Sequence, residues 1–187
     1  MQSLKGQLLL DGGKLAGSEF HHTVVLICEH DPDGALGLVL NRVSGQTLEE
    51  SLLSVPLPEA VQELPLFLGG PVRPQALSCL IQEPADAGEP TAAHVLPGLR
   101  LTHNLDELLE PTGDFVSFQQ IKFFAGYAGW SPGQLDAEMQ DTAWLTHPAS
   151  LELVFHPQPA ELWKLILRGK GPQYRLLAEA PDDISQN

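Results

Sequence analysis

Two apolar, β-branched runs, Thr23–His30 (TVVLICEH) and Ala35–Asn41 (ALGLVLN), are separated by only the four residues Asp31-Pro32-Asp33-Gly34. Asp, Pro and Gly supply turn chemistry, and a parallel crossover takes about a dozen residues or more. The two runs therefore close as an antiparallel hairpin, and being apolar on both faces they belong in the interior. The rest of the chain has to build outward from that buried pair.

The remaining pattern interleaves short helices with short strands. Thr47 and Glu50 form a capping box for a helix through Leu53, Pro56 and Pro58 break the chain, and another helical turn follows around Glu59 to Leu64. Leu66–Leu68 leads into the Gly69-Gly70-Pro71 turn, and a strand is expected at Ala76–Gln82, followed by a polar loop at Glu83–Pro90. Short strands are expected at Ala92–Leu96 and Leu99–Thr102, a helix capped by Asn104 and Glu107, and a long strand at Phe115–Ala125. Ser131 as N-cap, Pro132 and Gln134 open a helix ending near Leu145, in which Leu135, Glu138, Met139 and Thr142 share a stripe. A strand at Leu151–Phe155, a helix at Ala160–Arg168 stopped by Gly169 and a last strand at Tyr174–Ala178 complete the pattern. No internal repeat or linker divides the chain, so it reads as a single domain over residues 1–187, with a core at about 8–178 and a frayed acidic tail at 179–187.

Ten Lys and Arg against 24 Asp and Glu give a formal charge of -14, which opposes approach to a phosphate backbone. Direct nucleic-acid binding is therefore disfavoured, and the one basic cluster, Lys164, Arg168, Lys170 and Arg175, reads as a solvated helix end. The N-terminus lacks an export signal, and no apolar run approaches the ~20 residues that span a bilayer, so a soluble, cytoplasmic protein is expected. Cys28 and Cys79 lack CxxC spacing and read as reduced, buried thiols.

Several motifs look catalytic and fail on physical grounds. Gly129-Trp130-Ser131-Pro132-Gly133 matches the G-x-S-x-G nucleophile elbow, yet the residue after the serine is a proline with no N–H for an oxyanion hole. Cys28 and His30, two residues apart, would share a strand face as a thiolate–imidazolium pair, but apolar neighbours raise a thiol pKa rather than lower it. Among seven histidines, His21 and His22 are adjacent, so a strand would point them to opposite faces, while the others stand singly; no metal ligand set assembles from spacing. Gly69-Gly70-Pro71 lacks the companions of a phosphate loop. No cofactor is implied. What remains is Tyr127 and Trp130 in a glycine-rich run, with Trp130 read at a turn tip before a helix N-terminus that could hold an anion or carboxylate.

At these same residues the chain resembles the YqgE/AlgH family of small bacterial proteins. The resemblance rests on ICEH at Ile27–His30 with Asn41 downstream, LGGPV at Leu68–Val72, and GYAGWSPGQLDAEM at Gly126–Met139 followed by Ala143-Trp144, and it covers roughly residues 8–170. It implies an α+β fold with a strongly twisted, mostly antiparallel or mixed, partly barrel-like sheet flanked by helices, in a family without an established enzymatic activity. One member is named as a transcriptional regulator of polysaccharide production. The segment LAGSEFHHTV departs from the family pattern: it lacks a proline, and His22 stands at an arginine-like place, which removes any anion contact carried there. The expectation is a non-catalytic regulatory or binding protein acting through a protein partner or small ligand at the Gly126–Gln134 surface, with Glu29, His30, Asn41, Gly69, Gly70, Pro71, Tyr127, Trp130 and Gln134 as its residues. The alternatives are a cryptic enzyme using Cys28 with His30 and a transcriptional regulator, the latter opposed by charge.

Overall fold

The computed structural model describes residues 2–52, 57–84, 91–104 and 120–180. The helix expected at Asn104–Glu107 beyond its first residue, the loop at 85–90, the ends at Leu53 and Pro56, the first part of the strand expected from Phe115 and the tail beyond 180 lie outside the described residues. Among the described residues ten strands form one sheet: β1 (Gln7–Asp11), β2 (Val24–Asp31), β3 (Gly34–Val39), β4 (Val43–Thr47), β5 (Pro65–Leu68), β6 (Val72–Gln82), β7 (His94–Leu96), β8 (Leu99–Thr102), β9 (Gln120–Trp130) and β10 (Trp144–Pro148). The main path runs β10-β1-β2-β3-β9-β6-β8-β7, with β4 and β5 as a side pair. Every pairing is antiparallel except β5 with β9, and the sheet curls into a half-barrel. The hairpin of β2 and β3 stands near the centre, as its two-sided apolar pattern requires.

The helices are α1 (Leu48–Ser51), α2 (Glu59–Gln62), α3 (Gln134–Gln140), α4 (Leu151–Val154), α5 (Leu162–Gly169) and α6 (Pro172–Glu179). The capping box at Thr47 and Glu50 is formed as expected. Four expectations fail. Leu151–Phe155 is a helix, because Ser150 accepts a hydrogen bond from the Leu153 N–H and so caps it. Tyr174–Ala178 is also helical, since Pro172 just after Gly171 is preset for a first helical turn. Ser131 is not the cap of α3: Gly133 in a left-handed conformation takes that place, although the Gln134 side chain still accepts from the Ser131 N–H at 3.1 Å. That helix stops at Gln140, and the chain turns into β10 instead of continuing to Leu145.

Three apolar clusters follow from this layout. The largest joins Leu8, Leu10, Val24, Leu26, Leu38, Leu40 and Phe124 to Leu162, Trp163, Ile166 and Leu167 of α5. On the opposite face of the hairpin, Leu9, Val25, Ile27 and Val39 pack with Ala128, Trp130, Leu135 and Trp144. Leu48, Val61, Leu66, Cys79, Ile81 and Phe123 gather beneath α1 and α2.

Lys122 places a cation in this core. The Lys122 ammonium donates to the Val154 carbonyl at 2.8 Å and lies 4.3 Å from the centre of the Phe67 ring. Burial pushes its pKa down from an ordinary 10.5 to about 8. Between those values the unfolded chain binds more protons than the folded one, so this group makes stability rise with pH across that window, by up to about 3 kcal/mol. Lys122→Met is expected to flatten that rise, measured as the difference in urea unfolding free energy between pH 7.5 and pH 10 for the two proteins; equal slopes would show that Lys122 does not titrate there.

Candidate functional site

The carboxylates of the hairpin turn face an open cleft of about 430 Å³ lined by Glu29, Asp31, Asp33, Leu36, Val72, Tyr127, Gly129 and Trp130 among others. Three acidic residues and an aromatic ring converge there, with no Lys or Arg among the described residues of the lining. Asp31 is fixed by the turn itself, accepting from the Asp33 N–H at 2.8 Å. Glu29 reaches the cleft because of a β-bulge: Ile27 pairs with Gly37 but Glu29 with Leu36, so one extra residue, Cys28, sits between.

That bulge also separates the proposed catalytic pair. Cys28 packs with Val24 and Leu26 in the largest cluster, whereas His30 is turned to the other face. There His30 Nδ1 accepts from the Leu4 N–H at 3.0 Å, its carbonyl accepts from Ser3, and Nε2 lies 3.9 Å from Asp136. Burial holds the Cys28 thiol far above its ordinary pKa, and Cys79 is pushed up to about 12 by the same cause. The expectation that Cys28 and His30 share a face is overturned, and with it the geometry for nucleophilic catalysis.

The Gly126–Trp130 run is not a turn tip. It is the second half of β9, with Trp130 paired to Ala35 and only 7% exposed. Its indole N–H donates to Glu138 Oε2 at 2.9 Å, and Trp144 donates to the same oxygen at 2.8 Å. Gln134 Nε2 holds the other oxygen at 2.9 Å, and Phe20 packs against both indoles with ring centres 6.4 and 5.5 Å away. Glu138 is thus the unforeseen keystone; the signal was a lone carboxylate on the apolar stripe of Leu135 and Met139. Gln134 serves this anchor and does not line the cleft.

Gly69 and Gly70 pack against the backbone of β9 beside the cleft-lining Tyr127. Gly69 donates to the Ala125 carbonyl at 2.8 Å and accepts from Val39 at 2.9 Å, handing the edge of β9 from β5 to β3. A Cβ on Gly70 would lie 2.3 Å from the Tyr127 carbonyl carbon, and one on Gly126 would lie 2.4 Å from the Gly70 oxygen. Pro71 follows and leads into Val72 of the lining. Asn41 stands apart: its side chain accepts from Val24 N–H at 2.9 Å and donates to the His22 carbonyl at 2.8 Å. Of the nine expected residues, Glu29, Tyr127 and Trp130 line the cleft, Gly69 and Gly70 pack against the β9 backbone with Pro71 after them, and His30, Asn41 and Gln134 fasten other parts of the fold.

His21 and His22 also depart from expectation. They lie outside any strand, and their rings stack with centres 3.8 Å apart instead of pointing to opposite faces. Asp11 of β1 lies beside them. His94 is not solitary either: with Arg100 it grips the Glu83 carboxylate, each nitrogen 2.6 Å from an oxygen. No helix among the described residues is long and apolar enough to cross a membrane.

A curled, mostly antiparallel half-barrel carrying the ICEH hairpin, with the GGPV turn packed backbone to backbone on the GYAGW strand, defines an α+β class of protein. The AlgH-like family profile matches residues 8–175, and the chain belongs to that family. It is 36% identical over 181 residues to a UPF0301 protein of Chlorobium luteolum, covering 95% of this chain and 91% of the relative. A UPF0301 protein of Shewanella denitrificans is 36% identical over 174 residues, covering 91% and 93%. The solution structure of the AlgH protein from Pseudomonas aeruginosa superposes with a TM-score of 0.74 at 30% identity, covering 97% of this chain and 98% of that one. A crystal structure from Corynebacterium diphtheriae, at 22% identity and a TM-score of 0.77 over 96% of this chain and 94% of that one, shares the fold.

Proposed function

We propose that the chain is a non-catalytic binding protein whose acidic cleft takes a cationic segment of a protein partner. The observation that carries this reading is the convergence of Glu29, Asp31 and Asp33 beside the Tyr127 ring in a cleft with no cation among its described lining residues. A guanidinium satisfies such a site twice, through charge-assisted hydrogen bonds to carboxylates and through the face of an aromatic ring. The net charge of -14 steers cationic partners toward it and opposes both DNA and the anionic ligand first suggested by the helix after Trp130. The inaccessible, protonated state of Cys28 weighs against the enzyme alternative.

The test is fluorescence anisotropy with a labelled Arg-rich peptide at low salt. Binding is expected to weaken about tenfold or more in the double variant Asp31→Asn/Asp33→Asn and in Tyr127→Ala, and to fall steeply with added salt. No binding at low salt, or binding equal in both variants, would rule the cleft out.

A further inference from the structure

We infer that Asp11, His21 and His22 form a divalent metal site of the zinc class. None of the three lines the acidic cleft, so this is separate from the peptide-binding reading. One ligand atom from each lies within 4.8 Å of those from the other two.

The observation that points to an ion is an orphan. His21 Nδ1 is buried and has no hydrogen-bond partner among the described residues, yet it stands 3.3 Å from Asp11 Oδ2. A buried ring nitrogen facing a carboxylate oxygen without a hydrogen bond between them is a pair that a cation can satisfy on both sides, and buried polar atoms left unsatisfied are rare. The separation is the right one for a metal: ligands about 2.0 to 2.1 Å from a tetrahedral ion stand about 3.3 to 3.4 Å from each other. Two imidazoles and one carboxylate leave a fourth position open, and His21, with 30% of its side chain exposed, gives an ion a way in from solvent.

The surroundings hold the ligands in place before any ion arrives. Asp11 is fully buried, and its carboxylate accepts backbone N–H bonds from Gly13 at 2.8 Å, Leu15 at 3.2 Å and His22 at 3.0 Å. The carbonyls of His21 and His22 are taken by Arg42 and Asn41, at 2.9 and 2.8 Å. His22 adopts a φ of 55°, a left-handed conformation uncommon outside glycine, with its ring stacked on Trp163. The bonds to the Asp11 carboxylate are of the kind that orient ligating carboxylates in known sites, and those to the carbonyls fix the backbone that carries both imidazoles. The histidine at the arginine-like place of the family pattern becomes a ligand in this reading.

The experiment is a thermal unfolding titration of the full chain, stripped with chelator and then given Zn2+, beside His21→Gln and His22→Gln. At a hundredfold excess over the dissociation constant the unfolding midpoint of the parent is expected to rise by about 5 to 10 °C. Both variants are expected to keep the metal-free midpoint and lose the rise. Asp11 is left intact because its carboxylate also holds the backbone. If a variant fails to fold, zinc protection of His21 from diethyl pyrocarbonate in the parent chain, mapped by mass spectrometry, replaces it. No zinc response in the parent, a response retained in either folded variant, or modification of His21 undiminished by zinc would overturn the site.

Discussion

Gly70→Ala is expected to leave little folded protein at 37 °C. The substitution would place a methyl group 2.3 Å from the Tyr127 carbonyl carbon and 2.4 Å from the Ala128 nitrogen, both backbone atoms that cannot swing aside. Gly70 also sits at φ 150°, a conformation that residues with a Cβ rarely adopt. Strained backbone alone costs about 1 to 3 kcal/mol, and overpacking against fixed atoms adds about 1 to 3 more. That sum, about 2 to 6 kcal/mol, reaches the lower end of the stability of a small domain, about 5 to 15 kcal/mol. Gly45→Ala is the control: its Cβ meets nothing within 4 Å, although its φ of 84° still carries the backbone penalty. Urea midpoints of the two variants separate the crossing clash from left-handed strain, and similar midpoints would show that the β9 crossing yields.

The same crossing explains what the sequence could and could not reveal. The GGPV and GYAGW segments were legible as motifs, and their glycines as places of close approach, but nothing in linear order says that one approaches the other. Local signals carry the β2–β3 hairpin, the Thr47 capping box and the helix expected at Ala160–Arg168, formed as α5. They misled where a short apolar run fits either period, as at Leu151–Phe155 and Tyr174–Ala178. There the decisive residues, Ser150 and Pro172, stood just outside the run. The bulge at Cys28 is a register event between two strands, so the reversal of His30 had no signature along one of them. Asp11 meets His21 and His22 only because β1 lies against β2. The acidic cleft was half visible: Tyr127 and Glu29 were chosen, while Asp31 and Asp33 were absorbed into the turn they also build.

Glu138→Leu is expected to destabilise the protein by about 2 to 5 kcal/mol. A leucine matches the apolar stripe of α3 but leaves two buried indole N–H groups, those of Trp130 and Trp144, without their shared acceptor. Each unsatisfied buried donor costs about 1 to 3 kcal/mol. Glu138→Gln keeps a carbonyl oxygen that can accept from both indoles, so its loss should be the smaller by a clear margin. The two substitutions therefore separate hydrogen bonding from packing at one position. Denaturant midpoints give the energies, and tryptophan emission reports the cause, since two of the three tryptophans in the chain share this oxygen. A red-shifted spectrum in Glu138→Leu, with Glu138→Gln close to the parent, is the expected pair of results. Because Trp130 also lines the cleft, freeing its indole is expected to weaken Arg-rich peptide binding as well, in Glu138→Leu and not in Glu138→Gln. If Glu138→Leu were as stable as the parent, the indoles would have found other acceptors, and the carboxylate would not be the piece that fixes α3 and β10 against the cleft wall.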